Sequence, residues 1–299
     1  MILVCGATGD LGGRVVRLLA AQGREVRALV RPGTDASELE AEGVEVVRGD
    51  LREEGTLGPA LAGVDTVVTT ANAVTRVLEG SVDLTIKDVD DAGNRNLVRA
   101  ADEAGVQRFV FVSVAGLSEE EARRAPLAAA KLATERALHT SSMQVVIVRP
   151  DMFQEVWLSP VAGIDAAAGK AMVYGRGETP HRYVAMDDVA ALCAHLAVAH
   201  DPPGLVEFGG PEALTRTQVV AAFDAATGRK LKVQHVPRPV LAVASRLLAV
   251  PKPALASLMG MALHSDSHPS TWDDAPLRAV GVEPRAATTY INQTAAALR

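Results

Sequence analysis

The amino-acid sequence predicts an α/β fold with a doubly wound parallel sheet and a small C-terminal lobe. Across the first half, short apolar runs alternate with segments of helical spacing, the pattern that successive strand–helix crossovers produce. The runs are continuously apolar, as strands of a parallel sheet covered on both faces must be. A glycine-rich turn, Gly6 to Gly12, separates the first run from the first helical segment. These three observations predict a sheet of the Rossmann type.

The elements of the first half follow from these patterns in chain order. Gly23, Gly43 and Gly105 follow the first, second and fourth helical segments, where a glycine in the left-handed conformation commonly ends a helix. No internal repeat or low-complexity linker interrupts the alternation. The strands are predicted at residues 2–5, 26–30, 44–48, 67–70, 109–112 and 145–148, and the helices at about 11–22, 36–42, 56–61, 82–104 and 127–140.

After Pro150 the regular alternation stops. A helix is predicted at 186–199 because Asp187 and Asp188 would lie in its first turn, where the helix dipole favours negative charge. A strand at 205–208 and a helix at 215–227, with Thr215 as its N-cap, follow. Residues 237–270 are rich in Pro, Ala, Leu and Met and predict short helices or a mobile lid.

Composition excludes several classes of function. The chain has 299 residues, of which 48% are hydrophobic and 22% charged, and a net charge of −6, so a nucleic-acid surface is not expected. The first residues predict a strand and not a signal peptide, and polar residues or prolines interrupt the apolar stretches, so no membrane span is expected. Cys5 and Cys193 are expected to be buried thiols. We expect a cytoplasmic protein, monomeric or dimeric.

The turn Gly6-Ala7-Thr8-Gly9-Asp10-Leu11-Gly12 is predicted to bind a dinucleotide. Glycine permits a positive φ in a tight turn and lets the backbone approach a pyrophosphate. The N-terminus of the following helix presents free N–H groups and a partial positive charge to the phosphates. Gly6, Thr8, Gly9, Asp10 and Leu11 are the candidate contacts. The alternative is a tight turn that binds no ligand.

Two strand ends indicate which dinucleotide is bound. The second strand ends at Arg31 and not at an acidic residue, and an arginine can pair with a 2′-phosphate, which favours NADP(H). Asp50 and Leu51 follow the third strand and are candidates to hold the adenine through a carboxylate beside an apolar side chain. The alternatives are a solvated surface Arg31 and an Asp50 that caps a helix.

The sequence resembles the NmrA-like, quinone-oxidoreductase-like branch of the atypical short-chain dehydrogenases/reductases over roughly residues 1–190. The resemblance rests on the following motifs: Gly-Ala-Thr-Gly-x-Leu-Gly from Gly6, Val30-Arg31, Gly49-Asp50-Leu51, Asp90-x-x-Gly93-Asn94-x-Asn96-Leu97, Ala104-Gly105-Val106, Phe109-Val110-x-Val112-Ser113 and Arg149-Pro150. It implies that Thr70, Ala71 and Asn72 pass near the cofactor and that Lys131 reaches the nicotinamide ribose. The alternative for Lys131 is a surface lysine paired with Glu135, four residues on.

One departure from the family pattern affects the chemistry. The resemblance implies a catalytic tyrosine four residues before the lysine, but Leu127 stands there and has no proton to donate. Ser113 matches the serine of the pattern, and Asp90 stands at its asparagine. Ser113 and Lys131 remain the catalytic candidates, and standard ketone reduction is not expected. His181 and Tyr183 are further candidates to supply a proton, or else pack structurally.

No metal site is expected. His264 and His268 are four residues apart, but no third ligand lies nearby in the sequence.

The predicted division places an NADP(H)-binding domain at 1–150 and a substrate lobe at 151–299, with residues near 186–200 returning to the core. Phe153, Trp157, Met172, Met259 and Met261 could line an apolar substrate pocket, or belong to ordinary core.

The leading hypothesis is an NADPH-dependent oxidoreductase that reduces a quinone-like or enone-like apolar molecule. The alternative is an NADP(H)-binding redox sensor that contacts a protein partner without turnover, and an assembly factor is a further possibility.

Overall fold

Ten strands form two sheets in the computed structural model, which describes residues 1–78, 80 and 83–298. In chain order the strands are β1 (Ile2–Cys5), β2 (Val26–Val30), β3 (Glu45–Arg48), β4 (Thr66–Thr69), β5 (Arg108–Val112), β6 (Gln144–Pro150), β7 (Ile164–Asp165), β8 (Lys170–Tyr174), β9 (Leu205–Phe208) and β10 (Lys232–Val236). The larger sheet is parallel, in the order β3-β2-β1-β4-β5-β6-β9. The predicted doubly wound sheet is confirmed.

The helices connect these strands. They are α1 (Asp10–Ala21), α2 (Ser37–Ala41), α3 (Leu57–Leu61), α4 (Val74–Leu78), α5 (Asn94–Glu103), α6 (Glu119–Ala122), α7 (Pro126–His139), α8 (Gln154–Trp157), α9 (Met186–Val198), α10 (Arg216–Thr227), α11 (Arg238–Leu247), α12 (Pro253–Ser265), α13 (Ala275–Ala279) and α14 (Ala287–Ala296). Short 3₁₀ turns lie at Glu54–Thr56 and Pro160–Ala162.

Helices cover both faces of the large sheet. Alternate residues of each strand point to opposite faces, so each strand contributes to two cores. Val4, Val68 and Val110 belong to a core shared with α1 and α9. Leu3 and Phe109 belong to the opposite core, shared with α3 and α5. The two cysteines are free and buried, as expected. None of the helices in the described part of the chain is long and apolar enough to span a bilayer.

The prediction of one continuous α-helix at 82–104 is wrong. Val82 lies outside the described residues, and the described part is a π-helical stretch, Ile86–Gly93, that continues into α5. The Asn94 amide donates to the carbonyl oxygens of Val89 and Asp90 at 3.2 and 3.3 Å. A side chain that bonds to carbonyls of the preceding turn accounts for the widened turn there.

The lobe contains a second sheet that the sequence did not predict. Its order is β10-β8-β7, with β8 parallel to β10 and antiparallel to β7. β7 has only two residues and β10 is mostly exposed, so neither gives an apolar run. Thr215 caps α10 with a full capping box, as predicted. Residues 238–265 form the helices α11 and α12, which pack on each other.

Candidate functional site

A cavity of about 880 Å³ lies at the carboxyl ends of the central strands, where the order reverses between β1 and β4. Ligands of doubly wound sheets bind at such switch points. The cavity brings together the residues predicted to bind the cofactor and the two catalytic candidates. Its lining includes Gly6, Thr8, Gly9, Asp10, Leu11, Arg31, Asp50, Leu51, Thr70, Ala71, Asn72, Ser113, Leu127 and Lys131.

Two of the turn glycines are required by packing. Gly6 has φ +83°, and a Cβ there would lie 2.7 Å from the Thr70 hydroxyl oxygen. A Cβ on Gly12 would overlap the Gly6 carbonyl oxygen. A side chain at Gly6 would therefore displace the residues that follow β4, and a side chain at Gly12 would push α1 away from the turn.

Gly9 differs, because the fold leaves space beside it. Its backbone is extended, with φ −93° and ψ 165°. A Cβ there would meet, among the described residues, only the Gly6 carbonyl oxygen within 4 Å, at 3.3 Å. Gly9 is the N-cap of α1, and the first amides of a helix have no acceptor within the helix. The absence of a side chain at Gly9 leaves room for a ligand against the helix N-terminus, which fits a dinucleotide phosphate.

Arg31 is partly exposed on the cavity wall. Its guanidinium lies 3.6 Å from the Asp83 carboxylate, so it already has an acidic neighbour. The Asp50 carboxylate is held by Arg52, whose Nη2 lies 2.7 Å from Oδ2 and whose Nε lies 3.0 Å from Oδ1. Burial opposes ionisation, but these hydrogen bonds bring the pKa of Asp50 below its usual value. Asp50 caps no described helix, and Arg52 is a cation that the sequence analysis missed.

Lys131 is a buried residue of α7 and not a surface lysine. Only 5% of it is exposed, and its Nζ donates to the Val112 carbonyl oxygen at 2.8 Å. The Glu135 carboxylate accepts two hydrogen bonds from Arg149, at 3.0 and 2.6 Å. The alternative of an exposed Lys131–Glu135 pair is therefore wrong. Burial lowers the pKa of Lys131, and the charge of Asp90 opposes that shift.

Ser113 and Leu127 give the cavity one polar and one apolar position near Lys131. Ser113 follows β5 and is 2% exposed, and its Oγ has no hydrogen-bond partner among the described residues. A buried hydroxyl without a partner is costly unless a ligand bonds to it. Leu127 packs with Ile86 and Ala254 and offers no proton.

Asp90 lies behind the cavity wall and is fully buried. Its Oδ2 accepts from the Ala73 amide at 3.0 Å. Burial raises the pKa of Asp90 to about 6, and the charge of Lys131 partly opposes this.

The two further proton-donor candidates have different environments. His181 lines the cavity, with its Nε2 3.1 Å from the Ser265 carbonyl oxygen and its Nδ1 3.4 Å from the Ser270 hydroxyl. Burial lowers the pKa of His181, and the charge of Asp151 opposes the shift. Tyr183 is 2% exposed and belongs to the core of the lobe.

Some of the apolar candidates line the cavity, and others pack outside it. Phe153, Trp157 and Met261 line the cavity. Met172 and Met259 pack in a neighbouring apolar cluster with Tyr174 and Leu241. Trp272, which the sequence analysis did not single out, also lines the cavity.

No metal site is expected from the sequence because His264 and His268 have no third ligand near them in the chain. The structure places a third potential ligand, Glu120, beside them. Glu120, at the start of α6, lies beside His264 and His268, and one ligand atom from each residue lies within 4.8 Å of the other two. All three line the cavity. Glu120 is far from the histidines in sequence, so no local pattern could indicate it.

Comparison with known proteins identifies relatives of different roles. Photosystem II assembly factor Ycf39 of Synechocystis sp. is 31% identical over 243 residues, which are 80% of this chain and 72% of that protein. NAD(P)H azoreductase of Xenophilus azovorans is 32% identical over 238 residues, 78% of this chain and 76% of the relative.

The fold is shared with a solved enzyme structure. The NADPH-dependent quinone oxidoreductase of Escherichia coli complexed with NADPH superposes with a TM-score of 0.78 at 22% identity, over 98% of this chain and 99% of that one. The NmrA-like family profile matches residues 1–288. The chain belongs to the NmrA-like family.

Proposed function

We propose that this protein is an NADPH-dependent oxidoreductase whose acceptor is an apolar molecule such as a quinone or a conjugated enone. The observation that carries the proposal is one continuous cavity lined by the Gly9 turn, the apolar Trp157 and the Ser113 hydroxyl, which has no hydrogen-bond partner in the described part of the chain. Such a cavity can hold a dinucleotide and a hydrophobic acceptor side by side. A reductase among the relatives and the fold shared with a quinone oxidoreductase support it.

The cofactor would be held by residues at the carboxyl ends of β1, β2 and β3. The pyrophosphate would lie against Gly9 and the first amides of α1. Arg31 would exchange its 3.6 Å contact with Asp83 for a 2′-phosphate, a partner of higher charge that favours NADP(H). The rest of the cofactor would contact Leu51, Thr70, Ala71 and Asn72. When bound, the reduced nicotinamide would supply a hydride.

The residues beside the acceptor decide which acceptors can react. A simple ketone needs an acid for its developing alkoxide, and Leu127 cannot provide one. A quinone or enone spreads the charge, so a hydrogen bond from Ser113 and a proton from water suffice. Lys131, whose Nζ lies at the carboxyl end of β5, would position the nicotinamide ribose.

We further infer that residues 1–150 form the NADP(H)-binding domain, which also brings Ser113 and Leu127 beside the acceptor, and that residues 151–299 form the substrate lobe. The region near 186–200 returns to the sheet, since α9 packs on α1.

Paired assays of binding and turnover test the proposal. Purified protein is titrated with NADPH and NADH, and NADPH oxidation is then followed at 340 nm with quinones, enones, simple ketones and aldehydes. We expect tighter binding of NADPH and oxidation only with quinones or enones. Failure to bind either nucleotide would overturn the cofactor assignment, and binding without any turnover would favour the second candidate.

The second candidate is an NADP(H)-binding protein that acts on a protein partner without turnover. The observation that favours it is an exposed apolar stripe along α11 and the turn after it, where Val240, Val243, Leu247 and Val250 are 52%, 54%, 71% and 91% exposed. Exposed apolar patches often mark interaction sites. The relative named as an assembly factor also supports this candidate. Val243→Glu would then reduce partner capture without changing NADPH affinity.

A further inference from the structure

We propose that Glu120, His264 and His268 form a binding site for a divalent transition-metal ion, with Zn²⁺ as the natural probe, on the wall of the cavity. Two imidazoles and one carboxylate are a ligand set that zinc takes in many proteins. The proposal is independent of the proposed function, because metal binding can be measured without NADPH or an acceptor.

The spacing of the three groups is close to what the ion needs. Their ligand atoms lie within 4.8 Å of one another, and tetrahedral zinc with bonds near 2.1 Å requires ligand atoms about 3.4 Å apart. His268 is exposed and Glu120 is half-buried, so both side chains can move by about 1 Å without disturbing a core.

The packing of α12 against α6 brings the groups together. A Cβ on Gly260 would overlap the Arg124 carbonyl oxygen, so glycine at this position lets the two segments approach closely. His264 lies one helical turn after Gly260 on the same face of α12, and Glu120 lies one turn before Arg124. Glu120 and His264 therefore meet about one helical turn away from the point where the two backbones come closest.

A hydrogen bond prepares His268 as a ligand, and the Nδ1 of His264 is left without one among the described residues. The Nδ1 of His268 lies 2.9 Å from the His264 carbonyl oxygen, which can only accept, so Nδ1 carries the proton and Nε2 is left with a lone pair. Metal-binding histidines commonly donate their second N–H to a carbonyl in this way. The Nδ1 of His264 is buried with no hydrogen-bond partner among the described residues, which is the cost that an ion would remove.

The charges nearby select the kind of ion. The two imidazole rings stack with centroids 4.0 Å apart and an angle of 15° between their planes, so one ring must rotate before both can direct a lone pair at the same ion. Arg124 pairs with Glu120 at 2.9 Å. With one carboxylate opposed by an arginine, the site suits an ion that prefers imidazole, such as Zn²⁺ or Co²⁺, and not Mg²⁺ or Ca²⁺.

Metal titration of the full chain tests this assignment. Chelator-treated protein is titrated with ZnCl₂ by calorimetry, and Co²⁺ is added separately to record its visible ligand-field bands. The variants are Glu120→Gln, His264→Ala and His268→Ala, and His200→Ala is the control because His200 is exposed and outside the cluster. Circular dichroism checks that each variant is folded.

We expect one Zn²⁺ per wild-type chain, unchanged binding in His200→Ala, and at least tenfold weaker binding in His268→Ala and Glu120→Gln. His268 is exposed, so its alanine variant remains informative even where His264→Ala is unstable. No saturable zinc binding by the wild type, or wild-type affinity in both His268→Ala and Glu120→Gln, would overturn the proposal.

Discussion

Lys131 donates a 2.8 Å hydrogen bond from its buried ammonium group to the carbonyl oxygen of Val112, the residue before Ser113. The ammonium also lies 4.8 Å from the centre of the Phe111 ring. Lys131 is thus fixed at the end of β5, against the cavity. A cation held this way can position the nicotinamide ribose without being the main source of cofactor affinity.

Lys131→Met should therefore lower the turnover number by about tenfold to a hundredfold. The dissociation constant for NADPH should change less, because the phosphate contacts remain. Methionine keeps most of the side-chain volume and removes the charge. Steady-state rates with a quinone, beside NADPH titrations, measure the two effects separately. Lys87→Met, at an exposed lysine, is the control, and a loss confined to NADPH affinity would refute the positioning role.

Arg31→Asp should invert or abolish the preference for NADPH over NADH. The charge-assisted contact with the 2′-phosphate is worth about 1.5–3 kcal/mol, and an aspartate would repel that phosphate. Fluorescence titration with both nucleotides gives the ratio of affinities. Arg24→Asp, at an exposed arginine, should keep the wild-type ratio. Equal affinity of the wild type for the two nucleotides would show that Arg31 has another role.

Gly9→Val should abolish NADPH binding and leave the protein folded. The fold offers space for a side chain at Gly9, so the valine would occupy the room left for the pyrophosphate. Gly58→Val is the matched control, since Gly58 is exposed and a Cβ there would have no neighbour within 4 Å among the described residues. Circular dichroism and NADPH titration are the measurements. A folded Gly9→Val protein that binds NADPH normally would show that the turn does not hold the cofactor.

Glu121→Gln should stabilise the protein at alkaline pH more than at acid pH. Glu121 is 4% exposed, and burial raises its pKa to about 8, with Arg149 opposing. A carboxyl group with a raised pKa favours the folded state below its unfolded pKa, and that contribution is lost as pH rises from about 4.5 to about 8.

Thermal unfolding of both proteins at pH 5 and pH 8.5 measures this difference. Each kcal/mol gained should raise Tm by about 2–4 °C. Glu119→Gln, at an exposed neighbour, should show no such pH dependence. A Tm difference between Glu121→Gln and the wild type that is the same at both pH values would contradict the assignment.

The sequence predicted the elements whose patterns are local and strong. The first two strands match the structure at both ends, and the Thr215 cap is as expected. β8 and β10 were missed because they pair with each other from distant parts of the sequence, and β7 was missed because it has only two residues. The π-helical stretch depends on hydrogen bonds from Asn94, which periodicity does not reveal.

For the candidate site too, local patterns predicted some features, and others depend on tertiary packing. The glycine turn and Arg31 follow strand ends, so their approach to one another is a consequence of the parallel sheet. The contact of Arg52 with Asp50 depends on side-chain conformation, and the approach of Glu120 to His264 depends on how α12 packs on α6. Neither contact can be predicted from a single sequence.

We propose that the protein reduces acceptors that need no protein acid, because Leu127 stands where the family pattern has a proton donor. Leu127 is 7% exposed and lines the cavity, so a tyrosine there would bring a hydroxyl toward the acceptor. Leu127→Phe is the control for added volume without a proton.

The most direct test measures NADPH oxidation by the wild type and Leu127→Tyr with a naphthoquinone and with a panel of simple ketones. The proposed chemistry predicts that the wild type reduces the quinone and not the ketones, and that ketone reduction appears in Leu127→Tyr but not in Leu127→Phe. Rapid ketone reduction by the wild type would contradict it.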